Sequence, residues 1–124
     1  MYQRPRRNRK SAAIRGMVEE TNLSVSHLIY PLFVAENPNE KSEIISMPGI
    51  FRWGTEKVLS EIEECVALGI QNFVLFPVVP EKYKTKRGEY SADENNFYLK
   101  VATEIKKRFP QISLMSDVAL DPYS

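Results

Sequence analysis

The chain has a single cysteine and a single histidine in 124 residues. One thiol excludes an internal disulfide framework and fits a reducing compartment, which predicts a cytoplasmic protein. One imidazole and one thiol cannot by themselves build a metal centre of nitrogen and sulfur ligands. None of the five glycines stands in a GxGxxG or GxxxxGK arrangement, so a phosphate-cradling loop is excluded. Long apolar runs are also lacking. The longest, Phe73 to Val79, falls far short of the ~18 residues that a membrane-spanning helix needs. No apolar segment follows the basic opening Met1 to Arg7, so no secretory leader is expected. The composition that remains, 43% hydrophobic and 27% charged, is that of a globular chain able to bury one core.

The net charge of +1 conceals an asymmetry. Arg4, Arg6, Arg7, Arg9, Lys10 and Arg15 fall within residues 1–18, which hold no acid. The remaining 11 bases face all 16 acids, a net of −5. A basic arm of this kind suits nucleic acid or an acidic protein surface. The stacking aromatics and glycine loops of a nucleic-acid module do not accompany it. An arm lying on a sister subunit is the favoured reading, with a non-catalytic binding module as the alternative.

Residues 1–9 read as extended, held open by Pro5. Ser11 to Thr21 has a helical face of Ile14, Met17, Val18 and Thr21, weakened by Gly16 and closed by Asn22 as a left-handed cap. Leu28 to Val34 is a strand in which Pro31 requires a bulge or an open edge. Ile44-Ile45-Ser46 and Ile50-Phe51-Arg52 suggest a hairpin across Met47-Pro48-Gly49. The clearest helix is Thr55 to Leu68, with Val58, Leu59, Ile62, Cys65 and Val66 inward, Thr55 as N-cap and Gly69 just past its end. Asn72 to Val79 is apolar throughout, as in a parallel strand covered on both faces. After a charged loop, Ser91-Ala92-Asp93-Glu94 reads as a capping box for a helix running to Phe109. Its inward face is Tyr98, Val101, Ala102, Ile105 and Phe109. Ile112 to Ala119 is the last strand. Helices that separate apolar strands predict crossover units and a parallel α/β sheet.

Few side chains carry chemical promise. His27 beside Ser24 and Ser26 reads as a local hydrogen-bonding residue, and Cys65 as a small core residue. Lys82, Lys84, Lys86 and Arg87 form a cationic loop, either an anion-binding lid or, preferably, a solvated stretch. Their mutual proximity in water is the wrong setting for an amine nucleophile. Asp117 stands out because it falls at the carboxyl end of an apolar strand, where parallel α/β enzymes do their chemistry. It could hold a substrate ammonium or accept a proton, or merely satisfy backbone groups at a junction. Asp121-Pro122 reads as a turn starter.

Five stretches, in order and at matching distances, carry a resemblance. They are RPRRNRKSAAIRGMVEET, LIYPLFV, SMPGIFR, ECVALGI and SDVALDPYS, and together they resemble the amino-terminal portion of the delta-aminolevulinic acid dehydratase family. The resemblance implies the first part of a (β/α)8 TIM barrel, with residues 1–24 as an arm and 25–124 as the first three barrel strands. It also implies a homo-octamer assembled through that arm, and the condensation of two 5-aminolevulinate molecules to porphobilinogen with loss of water. Two lysines at later strands would form the Schiff bases. A 124-residue chain that stops short of them is expected to be an inactive fragment. Asp117 matches the family's substrate-contacting aspartate. Ala119 and Asp121 stand where zinc-dependent members have cysteines, so the resemblance disfavours zinc there and implies Mg²⁺ at a site outside these residues.

Overall fold

The computed structural model describes residues 6–124. In chain order they form α1 (Ala12–Met17), β1 (Ile29–Ala35), β2 (Lys41–Glu43), β3 (Phe51–Trp53), α2 (Thr55–Ala67), β4 (Asn72–Val78), α3 (Phe97–Arg108) and β5 (Ser113–Ser116). The sheet order is β2-β3-β1-β4-β5, parallel except where β2 meets β3.

The centre of the sheet is the β1–β4 pair, in continuous register from Ile29↔Asn72 to Ala35↔Val78. No bulge interrupts it. On its other side β1 meets β3 only at Phe33 and Val34, so Pro31, which has no N–H to donate, lies beyond the paired stretch. Leu32 and Val34 of β1 and Phe73 and Leu75 of β4 are fully buried and point to one face. There they pack with Val58, Ile62 and Cys65 of α2 and with Phe97, Tyr98, Val101 and Ile105 of α3. Both crossovers therefore place their helices on the same side, as a right-handed connection does when strands are added in one direction. A (β/α)8 barrel is wound in this way, whereas a doubly wound sheet reverses.

Among the described residues β4 is covered on its helix face only. The side opposite the helices carries Phe33 and Phe76, register partners stacked at 5.7 Å and only half-buried.

Helix α2 follows its predicted face closely. Its N-cap is Gly54, one residue earlier than expected. A side chain there is impossible: a Cβ would meet Asn37 O at 1.9 Å, because the turn after β1 passes directly over the start of the helix. At the far end, Gly69 at φ +92° lets its own N–H reach Val66 O while Ile70 N–H reaches Cys65 O. These two bonds form a Schellman closure.

Other expectations shift. The extended reading of residues 1–9 falls partly on 1–5, outside the described residues, and Arg7–Arg9 is a 3-10 turn. Helix α1 is only six residues long, ends at Met17, and buries none of them. Asn22 is not left-handed, since no non-glycine among the described residues has positive φ. The hairpin is present, but its first strand is the polar Lys41–Glu43, and Ile44 closes it by donating to Ile50 O at 2.8 Å. Helix α3 opens at Asn96 rather than at Ser91, which sits in a 3-10 turn. Strand β5 ends at Ser116 instead of running to Ala119.

Candidate functional site

The parallel strands β1, β4 and β5 bring their carboxyl ends to one edge of the sheet. Glu36 follows β1, the loop 80–92 follows β4, and Asp117 follows β5. Asp117 is exposed and one residue past the last ladder pair, Leu75↔Ser116. Carried one residue further, the alternation of a pleated strand gives it the facing of Phe76 and Phe33, away from the helices. Residues 116–120 also wall a cleft of about 240 Å³, opposite Ser91, Tyr98, Leu99 and Tyr123.

The cationic loop is tied down more firmly than a solvated stretch would be. Lys82 pairs with Glu36 at 2.8 Å and Lys84 with Glu81 at 2.6 Å. The hydroxyl of Tyr83 also donates to Glu36, at 2.6 Å. These bonds from Lys82 and Tyr83 hold the Glu36 carboxyl below its ordinary range. The same contact raises the Lys82 ammonium above its usual pKa, which is the wrong direction for an amine nucleophile. Lys86 and Arg87 remain exposed. Tyr83 lies flat on Tyr90, with ring centroids 4.0 Å apart and planes 8° from parallel, and Tyr90 in turn meets Tyr123 at 6.2 Å.

The remaining candidates separate from this edge. His27 is exposed in the turn before β1, at the opposite end of the strand. Cys65 is buried in α2, and burial pushes its thiol up. Ala119 has no ligating atom, and Asp121 begins the 3-10 turn Asp121–Tyr123, the turn its Asp-Pro pair predicts. A zinc site of thiolates therefore does not fit these residues. Among the described residues no three of His, Cys, Asp and Glu gather in a way that could hold a metal ion.

Sequence reasoning missed Glu36 and Asn96. Glu36 repeats the pattern that singled out Asp117, an acid directly after an apolar strand. Asn96 had no such signal, because its partners lie on segments 6 and 27 residues away.

The chain is similar to known proteins over its whole length. The family model for delta-aminolevulinic acid dehydratase matches residues 2–124. The delta-aminolevulinic acid dehydratase of Chlamydia pneumoniae is 47% identical over 124 residues, covering 100% of this chain and 37% of that protein. The chloroplastic enzyme of Hordeum vulgare is 41% identical over 125 residues, with 29% of its own length covered. A crystal structure from Toxoplasma gondii ME49, delta-aminolevulinic acid dehydratase (porphobilinogen synthase) in complex with the reaction product porphobilinogen, superposes with a TM-score of 0.93. It is 41% identical and covers 100% of this chain and 35% of that one. The chain thus spans about a third of the length of these relatives.

Proposed function

The chain belongs to the delta-aminolevulinic acid dehydratase family, and from that premise we propose that the protein carrying it condenses two 5-aminolevulinate molecules to porphobilinogen with loss of water. The observation that carries this reading is the end-to-end superposition on a relative crystallised with porphobilinogen. Asp117, at the carboxyl end of β5, is the substrate contact we infer in this chain: its carboxylate holds the substrate ammonium. The amine nucleophiles come from later strands of the full-length fold. No step is assigned to a metal here. Mg²⁺ at a site outside these residues is proposed for the whole protein, because Ala119 and Asp121 at the motif's cysteine positions leave no thiolates for zinc.

Residues 1–24 act in this reading as an arm that lies on a sister subunit of a homo-octamer. Met17 and Leu23, each 84% exposed, are apolar side chains in need of such a surface. A cytoplasmic location is supported by the free thiol of Cys65. Among the described residues no helix is long and apolar enough to cross a membrane. The nucleic-acid reading of the arm finds no support in the family relationship.

The test is porphobilinogen formation from 5-aminolevulinate by the protein at full family length. Asp117→Asn should lower kcat/KM about ten- to a hundredfold, the usual weight of a hydrogen bond to a charged group. Borohydride trapping should leave the 124-residue chain unmodified. A full-length protein that makes no porphobilinogen overturns the reading.

A further inference from the structure

Asn96 is the polar side chain among the described residues that is wholly buried. Its Oδ1 accepts from Tyr98 N at 3.0 Å and caps α3. That task needs only an acceptor, and Ser or Asp would serve as well. The Asn96 amide has two further hydrogens, and both are spent across chain segments. One goes to Tyr90 O at 3.1 Å, the other to the Tyr123 hydroxyl at 3.2 Å. Tyr90 answers through its own hydroxyl, which accepts from Phe97 N at 3.1 Å.

Tyr123 is the far anchor of the segment that begins at Asp117. The near anchor is the Leu75↔Ser116 pair. Between them Val118 is 98% exposed and Leu120 60%, so the segment has little burial of its own to fix it. Its course is set by its two ends. At the far end Thr85 N donates to Tyr123 O at 3.0 Å, and the ring is 4% exposed. At the near end the hydroxyl of Tyr98 donates to Leu75 O at 3.0 Å, the residue paired with Ser116. Asn96 holds Tyr98 by its main chain and Tyr123 by its hydroxyl. It therefore braces the wall of the cleft that faces residues 116–120, beside Asp117.

We propose that Asn96 is a positioning residue which, through Tyr123 and Tyr98, sets where the Asp117 carboxylate stands. This rests on the reaction proposed above. The experiment uses the protein at full family length with 5-aminolevulinate, comparing Asn96→Ser, Tyr123→Phe and the double variant. Asn96→Ser keeps the cap acceptor and removes both side-chain donors, while Tyr123→Phe keeps the ring and removes the hydroxyl. Each single variant is expected to lower kcat about ten- to a hundredfold per active site counted by borohydride trapping, with KM within about threefold, as a misplaced group does. The double variant should be no worse than the weaker single, since both break one link. A purely structural role would lower Tm and the number of active sites but leave kcat per site unchanged, and that result overturns the proposal. If Asn96→Ser does not fold, a folded Tyr123→Phe with wild-type kcat overturns it equally. A wild-type protein that makes no porphobilinogen instead sinks the reaction on which the proposal rests.

Discussion

The Tyr83 hydroxyl donates to Glu36 Oε1 at 2.6 Å, which pins the loop after β4 to the carboxyl end of β1. Lys82 meets the second carboxylate oxygen at 2.8 Å. Both bonds favour the charged carboxyl, so its folded pKa lies below its unfolded one. The stability this contributes is fully present above the ordinary carboxylate value and is lost as pH falls through the lowered one. NMR shifts of the Tyr83 ring should therefore hold steady from neutral pH down to the ordinary carboxylate range and move only in stronger acid. In Glu36→Gln, which still accepts from Tyr83 but carries no charge for Lys82, that acid step should vanish.

Two glycines should respond oppositely to alanine. At Gly54 the new Cβ would collide with the carbonyl oxygens of Asn37 and Pro38, at 1.9 and 2.4 Å, and neither is the end of a flexible side chain. Gly54→Ala should cost about 3 kcal/mol or more, read as a fall in the urea midpoint. A Cβ at Gly16 meets nothing within 4 Å, so Gly16→Ala should raise α1 helicity by circular dichroism, with a gain of up to about 1 kcal/mol for the helix itself.

Ile62 is fully buried on the face of α2 that packs into the core. Ile62→Ala should lose about 2–5 kcal/mol, a large part of the ~5–15 kcal/mol typical of a folded domain. Ile45 has the same side chain at 97% exposure. Its replacement by alanine should stay within about 0.5 kcal/mol. Denaturant titration of the two variants side by side measures the difference that burial makes.

Burial raises the Cys65 thiol pKa, and Glu61 and Glu64 push it the same way. The thiolate is the reactive form, so iodoacetamide at mildly alkaline pH should modify the folded chain at least about tenfold more slowly than the urea-unfolded one. Equal rates in both states would mean that α2 opens readily.

How much of this was legible in the sequence depends on how local the cause is. Helix α2 was visible because Val58, Ile62 and Cys65 repeat at helical spacing and Gly69 closes the last turn, all within fifteen residues. Strands β1 and β4 were visible as apolar runs. The start of α3 was not, because Ser91-x-x-Glu94 satisfies the pattern of a capping box while the cap used is Asn96, selected by Tyr90 and Tyr123. Strand β2 was misplaced for a related reason. Ile44 and Ile45 looked like strand residues, but Ile44 is buried to close the hairpin and Ile45 is left in solvent. At the candidate site, Asp117 was legible from its place after an apolar run. Tyr123 beside it was not, since its place depends on bonds from Asn96 and Thr85 on distant turns.

Among the described residues β5 has a strand on one side only, paired with β4 from Asn72↔Ser113 to Leu75↔Ser116. Its outer row of N–H and C=O groups can template another strand. That makes it a seam along which the fold can be divided and rejoined. A separate polypeptide bringing the next parallel strand would dock there in trans, and a short peptide of matching register would compete for the same row. Fragment reconstitution, followed by recovery of signal from a split reporter, would turn this edge into a usable junction.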